Sequence, residues 1–237
     1  MSQQNNIHVL IIDSPSPEES AIGLNEGSTL VAHLENAGIE HVYCQAKNRE
    51  EFRNAVAHRK FQQQHGFQVT QILHLSCHGN RDGISLSEGS FLTWEQLASE
   101  LRPLHEVCPN GLGVCLTSCF GAYGIKMAEV LSPIQVPFTW LIGTRRPLRV
   151  LDVCVAFPVL YNCYLRGDSP KNSIALLQQI CSDDEIQMIY GPTTQQIYTS
   201  AFWIAFGVWV EGIIFGSASA TSELTDRRVA LPSINYR

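Results

Sequence analysis

Two short stretches of the sequence each end in a side chain suited to nucleophilic catalysis. Residues 72–80, ILHLSCHGN, carry His78, and residues 113–121, GVCLTSCFG, carry Cys119. A thiol becomes a strong nucleophile at neutral pH when an imidazole lies beside it. If the two stretches are neighbouring strands, both side chains lie where the strands end, and the pattern indicates a Cys–His dyad. A plainer interpretation stays open, in which the cysteine is packed and the histidine is solvated.

The glycine that follows the histidine favours the catalytic interpretation. Without a side chain, Gly79 lets its backbone approach a substrate closely. Its N–H, together with the N–H of Cys119, can hold the negative oxygen that develops when a carbonyl carbon is attacked. The same few residues therefore predict both a nucleophile and an oxyanion site.

A zinc site is a competing interpretation of the same residues. His74 and His78 are four residues apart, as are Cys115 and Cys119. Four residues along a strand span roughly 13 Å, whereas zinc holds its ligands at about 2.0–2.3 Å. Because both stretches have strand character, we expect no metal and no cofactor. His74 and Cys115 are then predicted to lie in the core.

The elements that position these residues follow from the alternation of apolar runs and helical patterns along the chain. We predict strands at 7–12, 41–44, 69–76, 113–116, 138–142 and within 197–210, a small hairpin around 84–86, and helices at 28–37, 48–61, 93–104, 123–131, 150–165 and 172–181. Such alternation predicts one α/β domain with a parallel sheet covered on both faces. Ligands bind at the carboxyl ends of the strands in such sheets, where His78 and Cys119 lie.

The composition excludes several classes of protein. The chain has 237 residues, 45% hydrophobic and 16% charged, so it can bury a core and is not globally disordered. Its formal charge of -6 comes with no basic stripe, so we expect no nucleic-acid partner. The polar residues 1–6 lack the apolar core of a secretory signal. We therefore expect the eight cysteines to be reduced and the protein to be cytosolic.

One stretch, 201–215, is apolar enough to raise the question of a membrane span. A spanning helix needs roughly 20 apolar residues. This stretch contains Glu211 and two glycines, with a third directly after it, and its aromatic and β-branched residues are typical of a buried strand. We therefore predict sheet here and no membrane partner.

Several motifs, in this order, resemble the CHAT family of caspase-like cysteine peptidases. They are HLSCHGN at 74–80, the hairpin and helix at 82–101, VCLTSCFGAYG at 114–124, the strand and helix at 139–167, and SAFWIAFGVWVEG at 200–212. The resemblance implies a caspase-like three-layer sandwich over 1–237, with a mostly parallel central sheet of about six strands and helices on both faces.

The resemblance also implies a mechanism, the hydrolysis of a peptide bond through a thioester. Cys119 is the expected nucleophile, and His78 is the expected general base or the acid for the leaving amine. The amides of Gly79 and Cys119 are expected to form the oxyanion hole. The family needs no third catalytic residue, and the sequence offers no obvious one.

The sequence is compatible with two opposite preferences for the residue before the cleaved bond. Asp13, at the end of the first strand, and Asp152 are candidates for a pocket that selects Arg or Lys before the cleaved bond. Each carboxylate can instead simply cap a turn or a helix. Arg145 and Arg146 would favour an acidic residue if they lined the pocket, or they could hold an anionic partner or signal molecule.

The family resemblance implies a regulated protease. We expect a protein substrate and an activating partner protein or a nucleotide-type signal molecule, in bacterial antiviral defence or cell death. Two alternatives stay open: a catalytically silent caspase-like binding module, and a thiol acyltransferase or hydrolase that uses the same dyad.

Overall fold

The computed structural model describes residues 6–23, 25–58, 61, 69–128, 136–147, 149–168, 170–181 and 186–191. All of them belong to one compact unit, residues 1–195. The predicted strand within 197–210 and the apolar stretch at 201–215 lie outside the described residues, and a single domain over 1–237 stays a prediction. None of the helices in the described part is both long and apolar enough to cross a membrane.

The strands form a mostly parallel sheet. In chain order they are β1 (Asn6–Ser14), β2 (Glu40–Gln45), β3 (Val69–Asn80), β4 (Gly83–Ser85), β5 (Phe91–Thr93), β6 (Leu112–Leu116), β7 (Trp140–Thr144) and β8 (Ile186–Tyr190). The sheet order is β2-β1-β3-β6-β7-β8, and β8 pairs antiparallel to β7. The hairpin of β4 and β5 extends from the end of β3. The parallel sheet that the sequence predicted is confirmed.

Helices cover both faces of this sheet. They are α1 (Pro17–Ala21), α2 (Glu26–Asn36), α3 (Arg49–Val56), α4 (Trp94–Val107), a 3-10 helix (Gly121–Ala128), α5 (Val150–Arg166) and α6 (Pro170–Cys181). One buried cluster joins the sheet to α3, α4 and the 3-10 helix. A second cluster joins the opposite face to α2, α5 and α6. The α/β class with helices on both faces is therefore confirmed.

Local capping explains where several helices begin and end. The Thr93 side chain accepts from the Gln96 N–H, and the Gln96 side chain accepts from the Thr93 N–H, which forms a capping box at the start of α4. Asn48 caps α3. Gly167, at φ 75, ends α5 in the left-handed conformation that favours glycine.

The structure differs from the sequence prediction at three described elements, the first of which is α1, a short helix that was not predicted. The predicted helix at 123–131 is a 3-10 helix over Gly121–Ala128 within the described part of the chain. Its glycines allow tight packing on the sheet, because a Cβ on Gly124 would lie only 2.7 Å from Leu116 Cδ1. β8, a strand of five residues, was not predicted, because its pairing with β7 depends on a long-range contact.

Candidate active site

The first requirement for a dyad, that the two carrier strands be neighbours, is met. β3 pairs parallel with β6, and Leu75 lies opposite Leu116. His78 and Cys119 each follow three residues after this pair, so both come at the carboxyl edge of the sheet. Parallel pairing in this register is what delivers an imidazole and a thiol to the same end of the sheet.

The backbone at Gly79, near the end of β3, lies close to the segment that follows β6. A Cβ added to Gly79 would lie 2.8 Å from the carbonyl oxygen of Cys119 and 3.0 Å from Cβ of Ser118. These separations are shorter than ordinary van der Waals contacts, so this position requires a glycine. The residue after the histidine and the segment that bears the thiol therefore touch each other.

Both side chains open into one cavity of about 200 Å³. His78 is 52% exposed, and Cys119 is half-buried. Asp13, Glu19 and Glu26 line the same cavity. A ligand in it therefore lies beside the thiol, the imidazole and three acidic groups.

A strained turn follows the candidate nucleophile. Phe120 has a φ of 62, which is uncommon for a bulky residue. Its N–H donates to the carbonyl of Arg146 at 3.3 Å, and the guanidinium of Arg81 lies 5.7 Å from its ring centroid. These contacts hold the turn that follows Cys119 in the left-handed conformation.

Asp13 is the most enclosed of the predicted site residues. It lies at the end of β1 with 1% of its surface exposed. The Tyr43 hydroxyl donates to Oδ2 at 3.0 Å, whereas Oδ1 is buried without a hydrogen-bond partner in the described part of the protein. Burial raises the pKa of the Asp13 carboxyl above its ordinary value, and the nearby Glu26 charge acts in the same direction.

The second acidic group at the cavity is Glu26, which was not predicted as a site residue. It lies in the first turn of α2, 2.8 Å from Nε2 of His74, and its other oxygen accepts from Ser76 Oγ at 3.1 Å. The Nδ1 atom of His74 lies 2.8 Å from the Tyr161 hydroxyl. His74 is fully buried in this network, which confirms its prediction as a hydrogen-bonded core residue.

The third acidic group at the cavity is Glu19, which was also not predicted as a site residue. Its Oε2 atom lies 3.2 Å from Nε2 of His78. The same oxygen accepts from the Ser16 N–H at 2.8 Å, and Ser16 Oγ accepts from the Glu19 N–H at 3.1 Å. The pattern Ser-x-x-Glu at 16–19 is a capping-box signal that could have predicted this turn, although not its contact with His78.

The remaining predicted site residues are not brought to this cavity. Both guanidinium contacts of Arg149 go to the Asp152 carboxylate, at 2.8 and 2.9 Å, in the first turn of α5. Arg145 and Arg146 are exposed after β7. None of these residues is among those that line the cavity. The structure thus groups Asp13 with His78 and Cys119, and leaves Asp152 and the two arginines outside.

The other cysteines are poorly suited to act as nucleophiles. No disulfide joins any of the eight cysteines, all of which lie in the described ranges. Cys77 also lines the cavity, but burial and the charges of Glu26 and Asp13 raise the pKa of its thiol far above its ordinary range. Burial raises the pKa of Cys115 to about 12. Neither thiol can readily supply a thiolate at neutral pH.

No family model matches this chain, and no curated protein sequence is significantly similar to it. The resemblance to CHAT peptidases therefore depends on the sequence motifs alone.

Proposed function

We propose that the protein is a caspase-like cysteine endopeptidase of CHAT type, with Cys119 as nucleophile and His78 as its general base and acid. One observation carries the proposal: both residues follow paired positions on adjacent parallel strands and line one cavity. The tight contact between Gly79 and the Cys119 segment supports it. The caspase-like fold is part of the same proposal, supported by the parallel sheet and the hairpin after β3.

The reaction proceeds in two halves. His78 takes the proton of the Cys119 thiol, and the thiolate attacks the carbonyl carbon of the peptide bond. The tetrahedral intermediate collapses to a thioester while His78 gives that proton to the leaving amine. Water then attacks the thioester, which releases the acid product and restores the thiol and the neutral imidazole.

The amides of Gly79 and Cys119 form the oxyanion hole of the proposed site. The Gly79 backbone is already in contact with the Cys119 segment, which keeps both amides close to the proposed nucleophile. Preorganised donors of this kind stabilise the tetrahedral intermediate, and loss of one typically costs ~10²–10³ in rate.

The proposed enzyme prefers Arg or Lys before the cleaved bond. The Asp13 carboxyl lines the cavity that His78 and Cys119 share, where its charge can pair with a guanidinium or ammonium group of the substrate. Glu26 adds negative charge to the same cavity. These contacts favour Asp13 over Asp152, whose carboxylate already binds Arg149.

We further propose that a partner protein or a nucleotide-type signal switches the enzyme on in the cytosol, in bacterial defence or cell death. The support is the family resemblance. The exposed Arg145 and Arg146 are candidates to bind an anionic activator, because Arg146 joins the turn after Cys119 through its carbonyl.

The test is cleavage of a peptide library, with and without bacterial cell extract as a source of activator. The wild type is compared with Cys119→Ala, His78→Ala and the control Cys154→Ala, a half-buried thiol on α5. Cleavage that disappears in the first two variants and survives in the control supports the proposal. Turnover of thioesters without peptide cleavage indicates an acyltransferase or thiol hydrolase instead. Iodoacetamide alkylation of Cys119 that does not depend on His78 indicates a silent binding module.

A further inference from the structure

A carboxylate lies against the imidazole of the proposed dyad. Oε2 of Glu19 is 3.2 Å from Nε2 of His78, and both residues line the cavity that Cys119 lines. The Glu19 side chain is 28% exposed, so the pair is partly shielded from water. A charge in this position acts more strongly on the imidazole than a charge on the open surface does.

Hydrogen bonds with Ser16 hold the Glu19 side chain in place, independently of its contact with His78. The capping box with Ser16 uses its backbone N–H and its Oε2 atom together. Pro17, at the first turn of α1, further restricts the backbone. Because the carboxylate is already ordered, its contact with His78 costs little additional side-chain entropy.

The turn that carries Glu19 is itself tied to the sheet edge. Ser14, the last residue of β1, donates through Oγ to the Ala46 carbonyl at 2.6 Å and accepts from the Ser87 N–H at 2.9 Å. The chain from β1 to α1 is thus anchored on two sides. These hydrogen bonds fix the segment that places the Glu19 carboxylate beside His78, near the end of β3.

We propose that Glu19 is a positioning residue for His78 and extends the dyad to Cys119–His78–Glu19; this rests on the proposed function. With Nε2 facing Glu19, the neutral ring carries its proton on that nitrogen, and Nδ1 is the nitrogen left to accept the Cys119 proton. Transfer of that proton gives a thiolate and an imidazolium. The carboxylate holds the ring in place and stabilises the imidazolium, without itself gaining a proton.

The test measures the rate at which iodoacetamide alkylates Cys119 in the full chain, resolved by peptide mass spectrometry. Glu19→Gln keeps the capping box, since glutamine also occupies this position in such boxes, but removes the charge. We expect alkylation of this variant to be about ten-fold slower. Glu18→Gln, an exposed neighbour on α1, is the matched control and should alkylate at the wild-type rate.

A purely structural role for Glu19 predicts a different pattern. If the capping box alone matters, Glu19→Gln alkylates like the wild type and Ser16→Ala, which removes the hydroxyl half of the cap, alkylates slowly. That result overturns the proposal. We expect the reverse: Ser16→Ala lowers the thermal midpoint but keeps the alkylation rate, because the Ser16 N–H that holds Oε2 of Glu19 remains. Ser16→Ala also keeps the proposal testable if Glu19→Gln does not fold.

A double-variant comparison separates failure of this inference from failure of the proposed function. We expect Glu19→Gln to have no further effect in a His78→Ala background, because Glu19 acts only through the imidazole. If His78→Ala slows alkylation but Glu19→Gln does not, the positioning role is wrong and the dyad stands. If His78→Ala has no effect, the dyad is wrong, and this inference with it.

Discussion

Gly79 lies so close to Cys119 that a single added carbon would stand 2.8 Å from the Cys119 carbonyl oxygen. This contact joins the end of the imidazole-bearing strand to the thiol-bearing segment. The backbone contact thereby limits how far apart His78 and Cys119 can lie. A substitution at Gly79 tests its importance.

Gly79→Ala should slow iodoacetamide alkylation of Cys119. The methyl group must displace the Cys119 carbonyl, and a shift of about 1 Å in a reacting group can cost roughly 10²-fold in rate. The crowding should also lower the free energy of unfolding by about 1–3 kcal/mol, measured by urea denaturation. Gly38→Ala is the control, because its φ of 66 is strained while nothing lies within 4 Å of the new carbon. It should lose about 1–2 kcal/mol of stability yet keep the alkylation rate. Equal rates in both variants would contradict the predicted contact.

Asp13→Ala should remove the preference for basic residues. Truncation of one partner of a buried charge pair costs about 2–5 kcal/mol, so labelling of Cys119 by an arginyl acyloxymethyl ketone should fall by roughly 10²-fold. Asp152→Ala removes the same charge outside the cavity and should label like the wild type. A norleucyl probe of similar length reports general damage to the site. Loss of labelling by both probes, or in both variants, would count against Asp13 as the specificity residue.

The burial of Asp13 predicts a pH dependence of stability. Its folded-state pKa is raised above the ordinary value of 3.8, so the folded state disfavours the ionised carboxylate. The stability that this carboxyl contributes is fully present below pH 3.8 and is lost as the pH rises through the folded-state pKa. Asp13→Asn does not ionise, and it should therefore gain stability relative to the wild type as the pH rises from 4 to 8. Urea unfolding across that range measures the difference. A difference that stays constant, or that shrinks with rising pH, would show that the carboxylate is not penalised by burial.

Tyr161→Phe should destabilise the protein without altering the thiol. The change removes the hydroxyl 2.8 Å from Nδ1 of His74, and a buried polar group left without its partner costs about 1–3 kcal/mol. Tyr123→Phe, a half-buried tyrosine on the 3-10 helix, is the matched control and should change stability by less than about 0.5 kcal/mol. Chemical denaturation gives both values. If the two variants were equally stable, the network around His74 would contribute nothing to the fold.

Much of the fold could be predicted from local patterns. The apolar runs at 7–12 and 69–76 are long enough to form buried strands, and the pair Thr93 and Gln96 marks the start of a helix by its own hydrogen bonds. The 3-10 helix and β8 were not predicted correctly. β8 depends on its pairing with β7, from which α5 and α6 separate it along the chain. The 3-10 helix depends on close packing of its glycines against Leu116 of β6 and Leu141 of β7.

The residue types alone supply the available chemistry: the thiol of Cys119, the imidazole of His78 and the glycine beside it. Which groups surround them depends on tertiary contacts. Glu19 and Glu26 come from the first turns of two helices, and Asp13 comes from another strand, so their approach to His78 depends on sheet order and register. Local preferences extend over a few residues, whereas the carboxylates reach this cavity through pairings across dozens of residues. The acidic surroundings of His78 and Cys119 therefore depend on which strands and helices the fold places side by side.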